Sequence, residues 1–155
     1  GVSCSAQVVQ DQTTDEGCSY IVTLGKQRFR VLNVTRETHL RSARVSWMED
    51  EPVEDHAELN ALRDKVSSAL NDVFSLTAKI QGREPELPDD LPDLPRELSF
   101  WIGAHLDNRA APEQQTLLEL SDTNERLERQ FEMLDHTRRQ LAARTVLMDL
   151  KEQDV

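Results

Sequence analysis

The apolar residues of this chain keep one rhythm up to residue 49 and another after it. In the first stretch apolar and polar positions alternate, the period of a strand with one covered face. Ala6 and Val8 share one face, and Tyr20, Val22 and Leu24 share the next. Phe29 and Val31 form a third set with Arg28 and Arg30 opposite, and Ala43, Val45 and Trp47 a fourth opposite Arg44 and Ser46. With turns expected at 11-DQTTDEG-17 and at Gly25-Lys26, this predicts four consecutive strands. Such close spacing favours antiparallel pairing.

From His56 to Gln81 the spacing becomes helical, through Leu59, Leu62, Val66, Leu70, Val73, Thr77 and Ile80, and Gly82 supplies a stop. Residues 83–95 hold four prolines and five acids, which predicts an extended surface connector. The segment from Leu98 to Leu106 is too rich in large apolar residues for a bare loop. Pro112 suits the first turn of a short helix. Ser121 or Asp122 caps the last helix, with Glu125 at capping-box spacing. There Leu127, Phe131, Leu134, Arg138, Leu141, Thr145 and Met148 trace a single seam. Arg138 interrupts it, which suggests a bundle wall more than a free zipper. The expected fold class is therefore α+β, with a β-rich part at 1–50 followed by a helical bundle at 51–155 ending in a long helix.

Composition narrows the function. The 155 residues are 37% hydrophobic and 30% charged, which reads as a soluble protein with a modest core. The net charge of −11 is unevenly spread, at zero over 1–50, −7 over 51–95 and −4 over 96–155. Such a balance repels nucleic acid and anionic membranes at long range. In the predicted hairpin Cys4 faces Leu24 and Cys18 faces Gln10, about 20 Å apart at 3.3 Å per residue. That is too far for a disulfide. Two reduced, partly buried thiols in a reducing, intracellular compartment are expected. The opening "GVSCS" would fit acylation of Gly1, but a strand begins at once and leaves no tail for an anchor. The Asn33-Val34-Thr35 sequon is read as chance.

Motifs for chemistry are missing. There is no P-loop, no G-x-S-x-G elbow and no H-E-x-x-H. Four scattered histidines (His39, His56, His105, His136) and two cysteines make a poor zinc site. "DDLPDLP" lacks the order of a calcium loop. No serine is singled out near Lys26, Lys65 or Lys79. No enzyme activity, metal or cofactor is expected. Arg28, Arg30 and Arg44 could line a face that contacts an acidic peptide or RNA phosphate. They could equally cover the sheet with their stems and pair with acids.

Several stretches in order resemble a known family. "LGKQRFRVLNVTRETHLRSARVSWMED" is similar to the central β region of the LON domain, the amino-terminal substrate-binding domain of Lon proteases. The matching features are Gly25, Arg28-Phe29-Arg30, and Ala43-Arg44-Val45 followed by Glu49-Asp50. "GVSCSAQVVQ" looks like the strand before it, and "EQQTLLELSDTNERLERQFEML" resembles the helical end, with Leu117-Leu118-Glu119 and Arg126-Leu127. "FWIGAHL" and Trp47-Met48-Glu49-Asp50 look most like stand-alone LON-domain proteins of plants and other phototrophs. The family's opening strand region, rich in proline and phenylalanine, is not seen, so unpaired sheet edges are expected. Cereblon shares the domain but adds a zinc-bearing one not seen here.

The resemblance implies a PUA-like sheet and a non-catalytic module that recognises polypeptides, linked to proteolysis or protein quality control. It also implies a chloroplast or a phototroph cytoplasm. Trp47, Phe100 and Trp101 are the expected aromatic anchors. One alternative is a scaffold that self-associates through Leu127, Phe131, Leu134, Leu141 and Met148. Another is RNA binding through the sheet, which the acidic balance opposes.

Overall fold

A computed structural model describes residues 1–36, 40–106 and 110–153. His39 lies outside them. The chain divides into two compact units, Gly1–Asp50 and Glu51–Val155.

The first unit is an antiparallel sheet of three strands, β1 (Val2–Thr13), β2 (Ser19–Arg36) and β3 (Ser42–Met48), in the order β1-β2-β3. The β1–β2 turn is closed by the Gly17 N–H on the Thr14 carbonyl at 2.9 Å. Gly17 has φ 81, a left-handed value that glycine adopts without a Cβ clash. This turn is tighter than the seven residues expected, so β1 runs on through Asp11 to Thr13. The pairing shifts with it. Cys4 lies opposite Arg28, not Leu24, and Gln10 lies opposite Val22, not Cys18. Both thiols are free and exposed, where partial burial was expected.

A second correction concerns Gly25-Lys26, which is no turn. β2 runs through it as the central strand, pairing with β1 over Ser19–Arg30 and with β3 over Arg28–Arg36. A reversal there would sacrifice the ladder that β1 makes on both sides of the glycine. The chain instead takes a β-bulge. Between the pairs Cys4–Arg28 and Ala6–Gly25, β2 advances one residue more than β1. That extra residue changes which positions face which way. Before it Tyr20, Val22 and Leu24 share a side, and after it Phe29 and Val31 do. Cross-strand partners share a face, so Ser3 opposite Phe29 and Gln7 opposite Leu24 place both sets on one side. Phe29 faces Trp47 and Val31 faces Val45, which extends the same side onto β3.

The second unit is helical, with α1 (His56–Gln81), α2 (Pro95–Ala104), α3 (Ala111–Glu119) and α4 (Thr123–Gln153). Each terminus has a local cause. The Asp55 carboxylate accepts from the Ala57 and Glu58 N–H groups at 2.8 and 3.0 Å. Gly82, at φ 67, closes α1 as Arg83 N–H returns to the Ala78 carbonyl at 3.0 Å. Prolines occupy the first turns of α2 and α3. Asp122 caps α4, accepting from the Asn124 N–H at 2.7 Å.

α1 and α4 run parallel, with Asp72 beside Arg138 and Lys79 beside Asp149. Leu59, Val66 and Leu70 of α1 pack with Leu98 and Ile102 of α2 and Leu127 and Leu134 of α4. The connector docks against this core. Leu91 packs on it, Trp101 donates its indole N–H to Asp90 at 3.2 Å, and Arg63 donates to the Asp93 carbonyl at 2.8 Å. Among the described residues no helix is long and apolar enough to cross a membrane.

Candidate functional site

One face of the sheet gathers exposed apolar side chains. Tyr20, Val22, Leu24, Val34 and Trp47 are between 46% and 69% exposed. The register puts them on one face with the half-buried Phe29, Val31 and Val45. Phe29 and Trp47 meet edge to face, with ring centroids 5.9 Å apart. That contact holds the indole in place while its outer side stays open. Exposed apolar side chains gathered on one face of a sheet mark contact surfaces.

The opposite face carries the arginines, and the three part ways there. Arg28 is buried and ion-paired with Asp50, whose side chain is buried too. It is therefore not a residue of the wet face, and removing it would disturb the sheet unit before any ligand. Arg30 and Arg44 are exposed on that face, Arg30 opposite Ser46 and Arg44 opposite Asn33.

The aromatic pair on α2 also divides. Trp101 packs against the helical core, stacks on His105 at 3.9 Å and holds the connector through Asp90. Those contacts occupy it structurally. Phe100 is half-buried beneath the Arg126 guanidinium, whose carbon lies 4.1 Å from the ring centroid. Arg126 is fully buried and donates to the Ser99 hydroxyl, the Leu120 carbonyl and the Thr123 hydroxyl. Phe100 and Arg126 border a cavity of about 340 Å³ between α2, α3 and the start of α4.

The α4 seam faces inward. Leu127 is fully buried, Leu134 nearly so, and Phe131 packs against the same core. Leu141 and Met148 are half-buried, and Thr145 is buried. Leu127, Phe131 and Leu134 are taken up by packing within the chain, so Leu127 and Leu134 are not on offer to a second copy. Arg138, which interrupts the seam, donates to Asp72 at 3.1 Å and Asp135 at 2.6 Å. Its hydrogen bonds to these carboxylates, first Asp72 and then Asp135, raise its pKa above the ordinary value. On the neighbouring side Arg129 binds Glu113 of α3, which holds that carboxyl below its usual range. No group of three or more metal-ligating side chains occurs among the described residues.

The model of the ATP-dependent protease La (LON) substrate-binding domain matches residues 1–136. The chain belongs to that family. It is 28% identical over 137 residues to the Lon protease of Anaeromyxobacter dehalogenans (strain 2CP-C), covering 88% of this chain and 16% of that protein. It is 27% identical over 133 residues to Lon protease 2 of Myxococcus xanthus, covering 86% and 16%. The chain thus spans about a sixth of the length of these curated relatives. Among solved structures, the N-terminal domain of the Mycobacterium avium complex Lon protease aligns with a TM-score of 0.59 at 20% identity, covering 86% of this chain and 69% of that one. The Lon N-terminal domain protein from Xanthomonas campestris aligns at 0.55 and 18%, covering 83% and 64%. At such identities the likeness shows the fold, a sheet followed by helices as in this LON domain.

Sequence reasoning placed Trp47 among the site residues but passed over Tyr20, Val22, Leu24 and Val34 as ordinary strand positions. The signal was present. Apolar alternation switches from even to odd numbers between Leu24 and Phe29, which a bulge explains without a turn.

Proposed function

We propose that this LON domain is a non-catalytic polypeptide-binding module, and that the apolar sheet face around Trp47 is its docking surface. The observation that carries the reading is the gathering of eight apolar side chains on one face, five of them largely exposed, in a domain of the substrate-binding family. An extended or unfolded segment presents the complementary chemistry, since its apolar side chains lack a core of their own. Aromatic and branched side chains on a rigid sheet supply contact area at low entropic cost. Delivery of the bound polypeptide to a protease is the process such a module would serve.

A photo-crosslinking pair tests the surface. Benzoyl-phenylalanine replaces Tyr20 on the apolar face in one protein and Arg30 on the opposite face in another. Reduced, carboxymethylated lactalbumin is the unfolded probe. Crosslinking from position 20 and little from position 30 is expected. Equal yields from both positions would remove the assignment.

A further inference from the structure

The α2–α3–α4 cavity lies wholly within the helical unit and takes no part in the sheet-face reading. Its volume of about 340 Å³ sits at the small end of ligand pockets. Its walls are mostly carbon, from Phe100, Leu117 and Leu118, with Gly103, Ala104 and Ala111 leaving the space open.

Among the described residues, the polar groups in the lining are engaged within the protein. The Gln114 amide donates to the Gly103 and Leu106 carbonyls, at 3.1 and 3.2 Å, satisfying the end of α2. The Gln115 amide donates to Glu119 at 2.8 Å. The Ser99 hydroxyl donates to the Arg96 carbonyl at 2.6 Å and accepts from Arg126 at 2.8 Å. Arg126 in turn lies over Phe100 and holds that ring as a wall. A cavity so arranged asks little hydrogen bonding of its occupant, and apolar cavities favour apolar groups over water. Ala104, Ala111 and Gln115 are exposed at its border, so a side chain can enter while its backbone stays in solvent.

We propose that this cavity is a specificity pocket, receiving one bulky aliphatic or aromatic side chain of the bound polypeptide. The assignment rests on the polypeptide-binding function above, and it adds a single-residue preference that the open sheet face would not impose.

Labelled twelve-residue peptides of Gly, Ser and Thr, identical except for a central Leu, Phe or Ala, provide the probe, read by fluorescence anisotropy on the full chain. Burial of one such side chain favours the Leu and Phe peptides over the Ala twin by about ten- to a hundredfold. The double variant Ala104→Leu/Ala111→Leu narrows the cavity from two exposed positions and should erase that preference, while lactalbumin, held by the sheet face, should still bind. Gly103→Ala is a milder companion. Its new Cβ would meet Gln130 Nε2 and Leu117 Cδ1 at 3.8 and 3.9 Å, ordinary contact distances. Titration with the Leu peptide should also shift the methyl resonances of Leu117 and Leu118.

Equal affinity for the Leu and Ala peptides, with lactalbumin still bound, would overturn the pocket and leave the sheet-face function standing. So would a preference that survives in the double variant. Free N-acetyl-leucinamide binding as tightly as the Leu peptide would assign the cavity to small molecules instead. Loss of both peptide and lactalbumin binding in the wild type would overturn the pocket together with the function beneath it.

Discussion

Trp47 offers the most direct test, because its two roles differ in size. Within the sheet the indole makes one edge-to-face contact with Phe29 and is 57% exposed. An aromatic side chain buries about 150–250 Å² when fully covered, so docking can remove roughly 85–140 Å² more of Trp47 from water. At about 25 cal/mol per Å² this is about 2–3.5 kcal/mol, an upper figure since the indole N–H must also find a partner. The contact with Phe29 is worth only about 0.5–1.5 kcal/mol. Trp47→Thr keeps a β-branched residue in β3 and removes the indole. Binding of labelled unfolded lactalbumin, followed by anisotropy, should weaken about thirty- to three-hundredfold. The urea midpoint should move little. If the variant binds as well as the wild type while remaining folded, the sheet face is not the docking surface. If it unfolds, Trp47 is a core residue and the argument from exposure fails.

Other expectations follow from the helical unit and its ends. Leu127→Ala should cost about 2–5 kcal/mol in urea unfolding, as a fully buried core position does, without shifting the mass seen by light scattering on dilution. Gly82→Ala, at φ 67, should lower stability by about 1–2 kcal/mol, since a Cβ disfavours the left-handed turn that ends α1. Glu113 has a folded pKa below its ordinary 4.5, chiefly through its hydrogen bond with Arg129. Its stabilisation is therefore complete above that ordinary value and fades as the pH falls through the lower folded one. Glu113→Gln should be slightly less stable than wild type at pH 7, and the two should converge in strong acid, as urea melts at each pH would report.

Much of the helical unit was legible because its signals are local. The heptad-like spacing from Leu127 onward and the glycine after Gln81 each act within a few residues of themselves. The partner of the α4 seam was not legible, because a seam records only that something apolar covers it. Here α1 and α2 of the same chain do so. The sheet was legible in kind but not in register. A glycine that breaks an alternating pattern can reverse a strand or bulge it, and only the pairing partner decides. The cavity was invisible for a related reason. Gly103, Ala104 and Ala111 look like ordinary small residues until two helices place them around one space.

The charge distribution bears on how an open apolar face can persist. The sheet unit has formal charge zero, so nothing in its own net charge repels an approaching chain. The full −11 resides in residues 51–155. Where the acidic units of two copies come near one another, their mutual repulsion extends over the roughly 8 Å Debye length of physiological salt. An unfolded polypeptide of low or positive charge meets no such barrier. The same acid excess that argues against nucleic acid thus favours capture of a foreign chain over pairing of like with like. An apolar sheet face left open on a neutral unit needs that bias if it is to remain available.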